Sequence, residues 1–290
     1  MLVFTATNNL VINPDKTAFI TNKKKEQKML VGKDTIKSED STVLLGMRVS
    51  GNLKWDSHVK EMKSKLRQRL GILRRLSYSL PDRALKQVAE GIFTSKLRYG
   101  IGLYCKPRLE KTDKSNRVLK DVTILQNDML RVITHCKKRR DRSVAELRKK
   151  TGTLSVNQLC CYHILIEAYS ILTNKSSEFI HNKWKGDPAK QVRAPRSEHL
   201  NKYIHTVKVP MKQTPNKNGF LYFGAELWNM LPPHLKKLQQ DTQERPCEDT
   251  SLSDKEERIR RQQGMRKNAE KFKKSIKTWI MENIPADFSA

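Results

Sequence analysis

The sequence predicts a mainly α-helical protein with a small α+β part at its N-terminus. Three observations carry that expectation. From His58 onward, apolar residues recur three or four apart in several windows, the spacing of one helix face. Before that point, β-favouring runs are short and separated by turn-forming residues. Hydrophobic residues make up only 37% of the 290 residues and charged ones 30%, a balance that suits compact helical segments with solvated stretches between them.

In chain order, residues 1–55 hold short strand-like runs at 10–12, 17–21, 28–31 and 43–49. Asn13-Pro14-Asp15, Gly32-Lys33-Asp34 and Ser50-Gly51-Asn52 lie between them as turns. A few antiparallel strands are expected, too few to be stable alone. Residues 56–180 read as a helical bundle. Its first helix, 58–76, carries Val59, Met62, Leu66, Leu70 and Leu73 on one face. Lys60, Lys63, Lys65, Arg67, Arg69, Arg74 and Arg75 occupy the other, and Asp56 or Ser57 is the expected N-cap. Pro81-Asp82 opens a second helix with Leu85, Val88, Ile92, Phe93 and Leu97 as its stripe, proline being tolerated in a first turn.

A third helix, 117–135, is expected to bury Val118, Val122, Leu125, Met129 and Val132. A short helix at 144–149 and a longer one at 156–172 follow, with Thr151-Gly152-Thr153 as C-cap and Ser155 as N-cap. Residues 181–236 read as irregular, ending in the aromatic stretch 219–236 with its double proline. Residues 237–268 are polar and charged, the composition of a disordered linker. A last amphipathic helix, 269–284, uses Phe272, Ile276, Trp279 and Ile280.

The formal net charge of +28 at pH 7 repels itself unless a polyanion screens it, so nucleic acid is the expected partner. Basic residues cluster at Lys23-Lys24-Lys25, at Arg74-Arg75, at Lys137, Lys138, Arg139 and Arg140, and around Arg258 to Arg261. The third of these also suits a nuclear import signal. No window of about 18 apolar residues exists, so no membrane partner is expected. The five cysteines are odd in number and scattered, which fits an intracellular protein, nuclear or cytoplasmic. Cys160, Cys161 and His163 lack a second cluster at zinc spacing and read as a buried helix face. Trp55, Trp184, Trp228 and Trp279 each lie in apolar surroundings and read as core.

Enzyme motifs are scarce. There is no Gly-rich phosphate loop, no Gly-x-Ser-x-Gly and no His-Glu-x-x-His. No Asp-Asp or Asp-x-Asp occurs, though two-metal nucleotidyl transfer needs closely placed carboxylates. Asp15, Asp34, Asp40 and Asp56 all sit in turn contexts.

Several segments nonetheless resemble, in order, the C-terminal part of reverse transcriptases from non-long-terminal-repeat retroelements. LVINPDKTAFI, starting at Leu10, is similar to that family's Leu-x-Leu/Ile-Asn-x-x-Lys-Thr motif. VLLGMRVSGNLKWDSHV, starting at Val43, resembles an apolar-Leu-Gly hairpin followed by Leu-x-Trp-x-x-His-Val. KLRQRLGILRRLSYSLP and LKQVAEGIFTSKLRYGIGLY look like the opening helices of the thumb. LQNDMLRVIT, GTLSVNQL, GAELWNMLPPHLK with its Trp-Asn-x-Leu-Pro box, and FKKSIKTWI continue the pattern.

The resemblance implies a remnant of the antiparallel palm sheet in 1–55, with a primer-grip hairpin at Leu45-Gly46, then a basic helical thumb. It implies template–primer contacts, to an RNA–DNA hybrid or duplex, from Lys63, Lys65, Arg67, Arg69, Arg74, Arg75, Lys96, Arg98 and Lys137 to Arg140. Lys16 matches the lysine proposed in the family to protonate the leaving pyrophosphate. The family's Mg²⁺-binding aspartates lie upstream of that lysine motif and have no match here. The expectation is therefore an N-terminally shortened polymerase remnant without cofactor or polymerase activity, in which Lys16 is a relic. Three alternatives stay open: a basic helical RNA-binding protein without polymerase ancestry in function, a protein that binds a protein partner through its amphipathic helices, and a chain without selected function that folds poorly because its strands lack sheet partners.

Overall fold

A computed structural model describes residues 7–9, 13–22, 27–31, 34–109, 117–136, 141–174, 176–185, 207, 209, 219–240 and 254–286. The chain divides into two compact units, Met1–Arg69 and Leu70–Ala290. The division falls inside the first helix, whereas the change of pattern in the sequence places the boundary at 55/56.

The smaller unit holds five short strands: β1 (Phe19–Ile20), β2 (Lys28–Val31), β3 (Asp34–Glu39), β4 (Ser41–Leu44) and β5 (Met47–Ser50). They form a three-stranded sheet in the order β1-β3-β2 and a separate β4–β5 hairpin. β2 and β3 pair antiparallel with Met29 opposite Ile36, but β1 runs parallel to β3, with Phe19 opposite Ser38. The expected all-antiparallel sheet is thus a mixed one. β3 is not among the expected strands, because its sequence DTIKSE looks polar. Only its alternation shows through: Ile36 and Ser38 are half-buried while their neighbours are exposed. Gly51 is forced here, because a Cβ at that position would sit 2.2 Å from the Thr21 carbonyl oxygen.

The hairpin is tied to helix α1 (Asp56–Leu76). The Arg48 backbone N–H donates to His58 Nδ1 (3.3 Å), and its guanidinium meets Glu61 Oε2 at 3.2 Å. Lys65 Nζ reaches the other Glu61 oxygen at 2.6 Å, and Lys65, then Arg48, hold the Glu61 carboxyl below its ordinary range. The first helical backbone bond runs from Val59 N–H to the Trp55 carbonyl (2.9 Å). Asp56 therefore lies in the first turn rather than before it, where its charge favours the positive helix end. Val59, Met62 and Leu66 are buried, as their spacing requires.

The larger unit is helical. α2 (Asp82–Ala89) passes through a π-turn, Glu90–Thr94, into α3 (Ser95–Arg98), then α4 (Ile101–Tyr104). α5 (Arg117–Ile133), α6 (Val144–Thr151) and α7 (Val156–Asn174) follow, then α8 (Glu178–Lys185), α9 (Phe220–Met230), α10 (Pro233–Gln240) and α11 (Asp254–Asn283). Ser143 and Glu146 form a capping box at the start of α6, and Gly152 closes it at φ 61°. At the start of α7, Gln158 N–H donates to Ser155 Oγ (3.1 Å), and Ser155 N–H donates to Gln158 Oε1 (3.2 Å).

α7 is the axis of this unit. Val156, Cys160, Cys161, Leu165, Ala168 and Ile171 are buried over a broad side, while Glu167 is exposed, and α4, α5, α8, α9, α10 and α11 all pack on it. A helix with so wide an apolar side belongs against a core. Tyr169 stacks on Phe272 of α11 with centroids 4.3 Å apart, and Trp228 of α9 lies 5.9 Å from the same ring. Trp184 Nε1 donates to the Leu221 carbonyl (3.0 Å). Trp184 and Trp228 are fully buried, whereas Trp55 and Trp279 are half-buried.

Two expectations need correction. The region 181–236 is not irregular throughout. α8 extends to Lys185, and the aromatic stretch after Gly219 forms α9 and α10, the double proline serving as the break between them. The stretch 237–268 is helical in α10 to Gln240 and again from Asp254, so α11 begins well before Ala269. Its low apolar content suggests disorder, but its glutamate, arginine, glutamine and lysine are strong helix formers, and the anchored turns beyond Ala269 supply the nucleus. The rest of that stretch lies outside the described residues, as do strand 10–12 and Lys23 to Lys25.

Buried side-chain amides join the helices. Asn157 Oδ1 accepts from the Arg108 N–H (2.8 Å), while its Nδ2 donates to the Arg108 carbonyl (2.8 Å) and the Pro285 carbonyl (2.9 Å). Gln158 Nε2 donates to the Ile284 carbonyl (3.0 Å) at the end of α11. Asn157→Ala leaves three backbone groups to find new partners. It should lower unfolding stability by about 2–5 kcal/mol, read as the denaturant midpoint of the full chain.

Candidate nucleic-acid interface

The residues expected to contact phosphates fall on separate elements. Lys16 ends a single 3₁₀ turn, Pro14–Lys16, capped by Asn13, whose Oδ1 accepts from the Asp15 N–H (2.9 Å). Thr17 Oγ1 closes the turn by donating to the Asn13 carbonyl (2.8 Å). The turn read from Asn-Pro-Asp is thus real, and it leaves Lys16 exposed.

Leu45 and Gly46 make the tip of the β4–β5 hairpin, with φ of 49° and 76°. Two successive positive φ values match the twist of a tight hairpin. Leucine rarely adopts that conformation, at a cost of about 1–2 kcal/mol, yet Leu45 is 82% exposed.

Lys63, Lys65, Arg67, Arg69, Arg74 and Arg75 all belong to α1. Arg67, Arg74 and Arg75 are exposed, and Lys63 and Arg69 partly so. Lys65 is engaged by Glu61, so its charge is partly neutralised. Lys60, exposed on the same helix, extends the row. Lys60, Lys63, Arg67 and Arg74 recur three, four and seven residues apart along one flank. At 1.5 Å per residue that flank runs ~21 Å along the axis.

Lys96 and Arg98 lie on α3, just after the π-turn; such turns occur often at functional sites. Lys96 Nζ stands 5.9 Å from the centroid of the Tyr99 ring, within the range of cation–π attraction. Arg98 is exposed and acts on the neighbouring Tyr162 and His163. Lys137, Lys138, Arg139 and Arg140 lie outside the described residues.

Cys160 and Cys161 are completely buried on α7, and burial pushes both thiols well up. Cys160 Sγ lies 3.3 Å from the Cys105 carbonyl oxygen. That is the buried helix face expected for them. Among the described residues no group of three or more His, Cys, Asp or Glu side chains is placed to hold a metal ion. No helix among them is long and apolar enough to cross a membrane.

One basic surface is absent from the sequence-based expectations: the outer side of α11, where Arg266, Lys267, Lys271, Lys273, Lys274 and Lys277 are exposed. Its signal lies in KFKKSIKTWI, in which lysines fill the positions between the apolar ones. No protein-family model, no curated protein and no solved structure matches the chain.

His163 offers a pH handle beside Arg98. Burial first, and the Arg98 charge second, press its pKa down from 6.5 to about 4, and its Nε2 is buried without a hydrogen-bond partner. The folded imidazole is thus neutral where the unfolded one takes up a proton. The stability this neutrality preserves is intact above pH 6.5 and drains away as pH falls towards 4. In His163→Phe, the fall in melting temperature between pH 6.5 and 4 should be shallower than in the parent chain, as differential scanning fluorimetry can read.

Proposed function

We propose that this chain corresponds to the C-terminal part of a non-long-terminal-repeat retroelement reverse transcriptase and binds template–primer nucleic acid without polymerising it. The observation that carries this reading is α1. Its apolar positions Val59, Met62, Leu66, Leu70 and Leu73 are buried, while Lys60, Arg67, Arg74 and Arg75 project into solvent. A helix with its apolar stripe covered presents its cations at helical spacing. Such preorganisation reduces the entropy lost when they meet a phosphate backbone. The net charge of +28 adds a long-range attraction for any polyanion.

The ordered series of motifs supports the polymerase ancestry, with the hairpin tip at Leu45-Gly46 in the place of a primer grip. Under this reading Lys16 is a relic. Phosphoryl transfer needs metal-held phosphates beside a proton donor, and the sequence has neither Asp-Asp nor Asp-x-Asp. Purified chain given Mg²⁺, nucleotides and a primed template should give no primer extension; extension would refute that part.

Binding is the direct test. Fluorescence anisotropy with a labelled RNA–DNA hybrid of about 20 base pairs should give an affinity that falls linearly with salt on logarithmic axes. Arg67→Gln, Arg74→Gln and Arg75→Gln combined should weaken binding and reduce the slope by about one for each phosphate that is no longer neutralised. An unchanged slope would remove α1 from the interface.

A further inference from the structure

We infer that the outer face of α11 is a second phosphate-backbone-binding surface, separate from α1, and that its partner is a nucleic-acid strand or duplex. The inference rests on the proposed function for its partner class, but on different residues for its geometry.

From Arg266 to Lys277 the helix carries six cations and a single acid, Glu270. All six cations are exposed, and no ion pair involves any of them among the described residues. Taking 100° per residue, Arg266, Lys267, Lys271, Lys273, Lys274 and Lys277 share one broad side, opposite Phe272 and Ile276. The row extends ~16 Å along the axis at 1.5 Å per residue, enough to meet several successive phosphates. Like charges this dense repel one another, so the surface carries an electrostatic cost that a bound polyanion relieves.

A membrane surface fits less well. An amphipathic helix that lies on lipid inserts its apolar face. Here Phe272, Ile276 and Ile280 are buried, with Phe272 stacked on Tyr169, and the end of the helix is held by Gln158 and Asn157. Met265 and Met281 are the only large apolar side chains exposed among its described residues, and a solvent side made mainly of cations suits a backbone of regularly spaced phosphates. The immobilised apolar side also fixes the rotation of the helix, so the cations cannot turn away.

The test uses the full chain carrying Lys271→Gln, Lys274→Gln and Lys277→Gln together. All three residues are exposed, so circular dichroism and the melting temperature should match the parent. With the same RNA–DNA hybrid, and with a single-stranded RNA of about 20 nucleotides, affinity should drop several-fold. The salt slope should fall by about two to three on at least one of the two ligands. A slope equal to the parent's on both ligands would overturn the inference while leaving α1 and the proposed function intact. Weakened binding by the α1 variant, with the α11 substitutions lowering the remaining affinity by the same factor as in the parent, would support two surfaces. If the parent binds neither nucleic acid, the proposed function and this inference fall together. If the triple variant alters binding only to phosphatidylserine-containing vesicles, the surface is a lipid site and the inference is wrong.

Discussion

The larger unit depends on two neighbouring amides at the start of α7. Asn157 binds both backbone groups of Arg108 and the carbonyl of Pro285, and Gln158 binds the carbonyl of Ile284. These bonds join segments far apart in sequence: the stretch after α4, the first turn of α7 and the end of α11. Helix C-termini leave carbonyls without intrahelical partners, and burying them unpaired is costly. Without the two amides, α11 could not end inside the protein. Its Phe272, Ile276 and Ile280 would then have no fixed place against α7.

Asn229 repeats the device. Its Oδ1 accepts from the Val207 N–H (2.9 Å) and its Nδ2 donates to the Val207 carbonyl (2.8 Å). In both cases an asparagine offers one acceptor and one donor to the backbone N–H and carbonyl of a single residue, Arg108 or Val207. The segments GTLSVNQL and GAELWNMLPPHLK therefore read structurally as clamps. Trp228 and Leu231 fill the core while Asn229 ties down passing backbone. Lys236 adds a lesser tie, its Nζ donating to the Asn229 carbonyl (3.1 Å), with burial lowering its pKa.

How much of this the sequence discloses follows from which forces are periodic. Helices that bury one stripe announce themselves: α1, α5 and α6 begin and end close to where apolar spacing, Ser143 and Gly152 put them, whereas the single helix expected from Pro81-Asp82 through Leu97 is broken by the π-turn Glu90–Thr94 into α2 and α3. β3 stays hidden because its pairing comes from β1 and β2 on either side, not from its own DTIKSE. The charged start of α11 reads as linker because composition reports the lack of a core, not the presence of an anchored helix downstream. The amide clamps are invisible for a different reason. Asn157 and Asn229 meet partners 49 and 22 residues away, and nothing local distinguishes them from surface asparagines. The basic face of α1 is legible, since burying its stripe leaves the lysines and arginines nowhere to go but outward. The matching face of α11 stands out only once the depth of its apolar side is known.

Charge and clamp meet in α11. A helix carrying this many cations would not stay folded against a basic protein on its own charges, so its position is set by Phe272, Ile276, Ile280 and the amides beneath. The central claim is that α11 belongs to the same cooperative core as α7. Native-state hydrogen exchange measures it directly, by comparing opening free energies of backbone amides at Phe272 to Ile280 with those at Cys160 to Ala168. The two sets should open together, with the same free energy and the same denaturant dependence. Amides of α11 that exchange through a separate, low-energy opening while α7 stays protected would contradict it.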